Sequence, residues 1–126
     1  LVMTDGGESV IYTPKPERYR SLGRTEAVET TSEDGLLDLR EVLLDLRERG
    51  VRSVIVEGGS RVLTTMIRER LWQKMQLFLA PVVVGGTDAP AIFGGGGVRE
   101  LSEAHRLRFD AIERIGPDLL VTAYPE

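Results

Sequence analysis

The sequence predicts an α/β fold in which a mixed, mostly parallel sheet is flanked by helices and closed by a C-terminal antiparallel hairpin. Three observations predict it. Short β-branched runs alternate with helical periodicities, the order that builds parallel, right-handed βαβ units. Val51–Val56 shows little polar alternation, as a strand covered on both faces does. Arg106–Ile115 and Leu119–Tyr124 do alternate, and Gly116-Pro117-Asp118 between them is a hairpin turn.

The elements follow in order. Ser9–Thr13 forms a short strand, ended by Pro14 and Pro16. Residues 14–23 are a polar connection, and Glu26–Thr30 is a second strand. Thr31-Ser32-Glu33-Asp34-Gly35 supplies turn and N-cap residues. Leu39, Val42, Leu43 and Leu46 then recur at helical spacing, with Gly50 placed to end that helix as its C′ residue. After the strand Val51–Val56, Ser60 caps a second helix whose buried stripe is Val62, Leu63, Met66 and Ile67. Met75–Val84 is a third apolar strand, with Pro81 marking a bulge or an edge. Gly85-Gly86 ends it. The run Gly94–Gly97 fits a plain loop better than a ligand wrap.

Composition narrows the function. The chain has 126 residues, 41% hydrophobic and 29% charged, as expected of a single soluble domain with its own core. It has no cysteine and one histidine, so a thiolate site, a disulfide frame and a cysteine nucleophile are excluded, and no metal site is expected. His105 is expected at the surface. A net charge of −4 and the lack of a basic stripe argue against a nucleic-acid partner. No apolar run approaches the roughly 20 residues of a membrane span.

The densest information lies in Val54-Ile55-Val56-Glu57-Gly58-Gly59-Ser60-Arg61. An apolar run ends in a carboxylate, two glycines follow, and an amphipathic helix begins. Such a turn offers backbone N–H groups and the positive end of a helix dipole to an anion, most often a phosphate. Glu57 then stands beside that anion. By pattern alone, the same residues also make an ordinary strand-to-helix turn. No lysine follows the second glycine, which argues against a nucleoside triphosphatase. Gly85-Gly86 repeats the theme at the end of the next strand, where ligands of open α/β sheets gather, or is simply a loop. Trp72 packs at a helix end, and Arg68 and Arg70 form a solvated one.

Gly50–Ser60, followed by Ala80-Pro81-Val82-Val83-Val84-Gly85-Gly86 and by Ile115-Gly116-Pro117-Asp118-Leu119, closely resembles the RibD C-terminal family, the pyrimidine reductase domain of riboflavin biosynthesis. That domain is the C-terminal half of a bifunctional deaminase–reductase and also occurs alone. The resemblance is close over residues 35–124 and looser before them. Leu71-Trp72-Gln73-Lys74 departs from a Leu-Val-Asp-like segment common in the family, outside the site.

The resemblance implies a dihydrofolate-reductase-like three-layer fold and an NADPH-dependent reductase. The reaction would convert a phosphoribosylamino-pyrimidine, of the 5-amino-6-(5-phosphoribosylamino)uracil type, to its ribitylamino form. Carried over by position, Glu57 is the substrate-contacting, catalytic glutamate. Gly58, Gly59, Ser60, Arg61, Val62, Leu63, Thr64 and Thr65 hold NADPH phosphate, with Arg61 a charge partner for a 2′-phosphate. Gly85 and Gly86 approach the cofactor a second time. The resemblance also implies a homodimer, and a last strand left with an open edge points to the C-terminal strands as its seam; the composition suits a cytoplasmic protein. Family domains extend further at the N-terminus, so the chain is expected to be one reductase domain lacking its N-terminal half. Two alternatives are a reductase of the same fold with another substrate, and a non-catalytic binding or dimerisation module.

Overall fold

The computed structural model describes residues 9–19 and 25–126. The described residues fall into two compact units, one ending at Ile55 and one spanning Val56–Glu126. The polar connection expected over 14–23 lies partly outside the described residues.

In the first unit, β1 (Ser9–Thr13) and β2 (Thr25–Glu29) pair in parallel, from Ser9 opposite Thr25 to Thr13 opposite Glu29. Both strands fall where the sequence places them, β2 one residue earlier at each end. Pro16–Tyr19 forms a single 3₁₀ turn after β1. The segment 31–35, expected to supply turn and N-cap residues, supplies the turn but not the cap. Ser32–Glu33 (β3) and Leu36–Leu37 (β4) form a two-residue antiparallel ladder around Asp34 and Gly35. These two sit at φ +51° and +71°, the positive values a tight hairpin needs. The cap itself is Asp38, whose carboxylate accepts the N–H groups of Arg40 and Glu41 at 2.8 and 3.2 Å.

Helix α1 spans Leu39–Glu48. Leu39, Val42, Leu43 and Leu46 are half-buried, as their spacing predicts. Gly50 ends it as expected, at φ +85°. Its N–H donates to Arg47 O, and the Val51 N–H donates to Leu46 O, the paired bonds of a Schellman motif.

A polar cluster ties α1 to the parallel pair. The Arg49 guanidinium makes a two-pronged contact with Glu26 at 2.6 and 2.8 Å and also donates to Asp45. Asp45 accepts the Tyr12 hydroxyl at 2.6 Å. Arg49 holds the Glu26 and Asp45 carboxyls below their usual range, chiefly through these hydrogen bonds. Burial, then the bond to Asp45, pushes the Tyr12 phenol up to about 12.

In the second unit, α2 (Ser60–Arg68) precedes an antiparallel sheet of β5 (Met75–Leu79), β6 (Leu107–Ile115) and β7 (Asp118–Pro125). The strand order is β5-β7-β6. The β6–β7 hairpin turns through Gly116-Pro117, with Ile115 opposite Asp118 and Gly116 at φ +60°, the position where a two-residue type II′ loop demands glycine. Asp110 is bulged out of the ladder between Phe109 and Ala111. The central strand carries the core. Leu120, Val121 and Ala123 are buried, as is Met66 of α2. Mixed α/β elements and the closing hairpin follow the predicted class, but among the described residues β1–β2 is the one parallel pairing and the three-stranded sheet is wholly antiparallel, so the mostly parallel sheet is not seen.

Two expected strands differ. Residues 51–56 enter no ladder, and Val54 and Ile55 are exposed. β-branched composition favours a pleated, packed surface but does not create one. Among the described residues no strand pairs with this segment. The third strand stops at Leu79 instead of Val84. Pro81 has no N–H to give a ladder, and the Val82 N–H turns back to Ala80 O at 2.8 Å. Val82, Val83 and Val84 beyond it are exposed.

Candidate cofactor-phosphate site

Of the residues singled out by sequence, Glu57 to Thr65 run through the start of α2, while Gly85 and Gly86 lie in the loop after β5 with no contact to it among the described hydrogen bonds. The N-cap of α2 is Gly59, at φ +58° and ψ 127°, not Ser60. Ser60 is the first helical residue, because the chain enters the helix through a positive φ that only glycine adopts without strain. No side chain caps this end, and its first turn holds no acidic residue. The first helical backbone bond runs from the Leu63 N–H to Gly59 O at 3.1 Å. The Ser60 and Val62 N–H groups therefore precede the helix's own hydrogen-bond ladder and point out of its positive end.

Space is available for a ligand. A Cβ built on Gly58, Gly59, Gly85 or Gly86 would meet nothing within 4 Å. Gly85 and Gly86 have φ of +68° and +88°, so both turns are built on conformations that favour glycine. Glu57 is exposed, immediately ahead of the Gly58-Gly59 turn, in a stretch without regular secondary structure. Arg61 is exposed in the first turn and Val62 is at the edge of exposure. An uncapped helix start with a cation in its first turn, no carboxylate and open space over two glycines suits a phosphate group.

The threonines turn inward. Thr65 is buried at 4% exposure and donates to Arg61 O at 3.0 Å. Thr64 donates to Ser60 O at 2.8 Å and accepts the Gly94 N–H at 2.9 Å. Leu63 is half-buried. Gly94–Gly97, expected to be a plain loop, is anchored at its first residue. The Gly94 N–H also reaches Ser60 O at 3.3 Å, and a Cβ on Gly94 would lie 2.6 Å from Ser60 Oγ. Only the first glycine of the run is pressed against a neighbour. A Cβ on Gly95, Gly96 or Gly97 would meet nothing within 4 Å. The glycine repeat was the available signal, but a run of four identical residues does not show which one is in contact.

His105 and Arg68 are exposed and Trp72 is half-buried. Among the described residues no group of acidic or histidine side chains is arranged to hold a metal ion, and no helix is long and apolar enough to cross a membrane. The first unit has an open depression of about 550 Å³ lined by Pro14, Glu29, Thr30, Thr31, Ser32 and Glu41. Glu41 there accepts from the Thr31 N–H, the Thr30 hydroxyl and the Thr31 hydroxyl at 2.8–2.9 Å. Those bonds, the Thr31 N–H first, hold its carboxyl below the usual range. All three bonds fall on Oε2, so this carboxylate braces α1 against the chain just after β2.

Comparison with known proteins gives this geometry a context. The chain is 33% identical over 129 residues to riboflavin biosynthesis protein RibD of Bacillus amyloliquefaciens, covering 99% of the chain and 35% of that protein. It is 31% identical over 123 residues to 2,5-diamino-6-ribosylamino-4(3H)-pyrimidinone 5′-phosphate reductase of Methanothermobacter thermautotrophicus, covering 95% of the chain and 56% of that protein. Its fold matches the solved structure of Acinetobacter baumannii RibD with a TM-score of 0.69 at 16% identity, over 94% of the chain and 37% of the other. The chain thus spans between about a third and somewhat over a half of the length of these relatives. The sequence model of the RibD C-terminal domain matches residues 1–121, and the chain belongs to that family.

Proposed function

We propose that this chain supplies the cofactor-phosphate site of an NADPH-dependent reductase acting on a phosphoribosylamino-pyrimidine. The observation that carries this reading is the glycine-opened, uncapped start of α2 directly after Glu57, in a member of a family whose relatives include a ribosylamino-pyrimidinone phosphate reductase. When bound, NADPH supplies a hydride. The acceptor is C1 of the substrate's ribose, electrophilic once the sugar ring opens to an imine. The nitrogen of that imine gains a proton as the carbon gains hydride, leaving a ribitylamine.

The chain's own residues position and neutralise. The Ser60 and Val62 N–H groups donate to cofactor phosphate, and Arg61 offers charge to a 2′-phosphate. Gly59 keeps a side chain away from that approach, and Gly85-Gly86 provides a second backbone surface. Glu57 orients the substrate or holds the proton destined for its nitrogen. Both reactants are phosphorylated and are retained inside a cell by their charge, which supports a cytoplasmic enzyme. The exposed Phe109 and Ile112 on β6 support assembly of two copies through the C-terminal sheet.

Titration of the full chain with NADPH tests the first half of this reading, and saturable binding is expected. Turnover with 5-amino-6-(5-phosphoribosylamino)uracil and with the 2,5-diaminopyrimidinone analogue tests the second and identifies the preferred base. NADPH binding without turnover of either substrate would favour a reductase of different specificity. No NADPH binding would favour a non-catalytic module.

A further inference from the structure

We infer that Thr64 is a positioning residue: its hydroxyl tethers the glycine run Gly94–Gly97 to the first turn of α2 and thereby shapes the cofactor-phosphate site. The inference rests on the proposed NADPH reading and adds a part to it.

Three contacts define the tether. The Thr64 hydroxyl donates its single proton to Ser60 O at 2.8 Å. That choice orients its lone pairs to accept the Gly94 N–H, at 2.9 Å. The same N–H reaches Ser60 O at 3.3 Å, so one amide is shared between a side chain and a backbone oxygen. The hydroxyl is therefore both donor and acceptor, the role valine cannot fill and serine can.

Gly94 is fitted to this contact. A Cβ there would lie 2.6 Å from Ser60 Oγ and 3.1 Å from Ser60 Cβ. The three glycines that follow have open surroundings, and Gly95 has φ +89°. A segment with that much backbone freedom has many conformations to lose. Fixing its first residue on the helix start selects those in which the run departs from beside Ser60. Thr64 does not reach the phosphate in this scheme. Its hydroxyl is spent on Ser60 and Gly94, and it acts by deciding where the glycine backbone stands.

The test uses the full chain with Thr64→Val and Thr64→Ser, read by NADPH titration, steady-state kinetics and amide hydrogen exchange at Gly94. In Thr64→Val the Gly94 amide should exchange at least about tenfold faster, and NADPH should bind roughly fivefold more weakly, the size of one lost hydrogen bond. The loss should fall on KM for NADPH more than on kcat. Thr64→Ser should restore both exchange and affinity, which a purely space-filling role of the threonine methyl would not allow. Wild-type NADPH affinity in Thr64→Val, or no rescue by serine, overturns the inference. If the unmodified chain binds no NADPH, the functional reading fails instead. In that case faster Gly94 exchange in Thr64→Val still supports the tether, and unchanged exchange removes it.

Discussion

The two helices begin in opposite ways. α1 is closed: Asp38 accepts two of its first N–H groups, and Glu41 adds a second acid in the first turn. α2 is open: Gly59 offers no side chain, no acid follows, and Arg61 occupies the first turn. A capping carboxylate and a bound phosphate satisfy the same donors, so a helix start can be committed to stability or kept for a ligand. The first arrangement belongs to the unit with the hydrogen-bonded polar cluster, the second to the residues that the family resemblance links to NADPH.

The largest way to break this contrast is Gly59→Val. A β-branched residue at φ +58° is strained and puts a side chain over the open end. We predict a loss of NADPH affinity of roughly 100-fold or more with the far-UV spectrum of a folded chain. Unchanged affinity would remove α2 from the site. Next is Arg61→Glu, which gives α2 the acidic first turn that α1 has. NADPH affinity should fall roughly tenfold through repulsion of phosphate. Equal affinity across low and moderate salt would show that no phosphate approaches this turn.

At the other helix, Asp38→Ala should cost about 1 kcal/mol of stability and leave NADPH affinity unaltered. Denaturant unfolding measures the first, and a stability loss near zero would mean that the cap is dispensable.

Acid sharpens the contrast with the smallest perturbation. Glu26, Asp45 and Glu41 all have depressed folded pKa values. Their contribution is therefore fully present above the ordinary carboxylate range near 4 and is lost as pH falls through the lower folded values. Residue-resolved hydrogen exchange should show α1 amides losing protection in that window before α2 amides do. Simultaneous loss in both helices would contradict it.

Much of this was legible in the sequence because it is local. The spacing of Leu39, Val42, Leu43 and Leu46 located α1, Gly50 marked its end, and Gly116-Pro117 marked the hairpin. The glycine entry to α2 was visible in Glu57-Gly58-Gly59-Ser60, but an ordinary strand-to-helix turn has the same pattern, so its reading as a phosphate site comes from the family resemblance. Three features were not legible. Asp38 and Ser60 are both good capping residues, and only backbone geometry shows that the first caps and the second lies one residue inside its helix. The residues of 51–56 have the composition of a buried strand, but a strand also needs a neighbour to pair with, and pairing is not written in the run itself. Thr64 and Gly94 are 30 positions apart, so no local pattern connects them.

The turn at Pro81 has a consequence for the behaviour of the chain in concentrated solution. Met75–Leu79 is an edge strand, and Val82-Val83-Val84 is an exposed, uncharged, β-branched run only three residues further on. Joined into one extended stretch, residues 75–84 would be a template for intermolecular β-sheet. Pro81 prevents the joining, because it withholds a ladder donor and folds Val82 back onto Ala80. Gly85-Gly86 closes the far side with a backbone turned to positive φ. The valines are thus kept between two breakers, which makes this proline a guard against aggregation as well as the end of a strand.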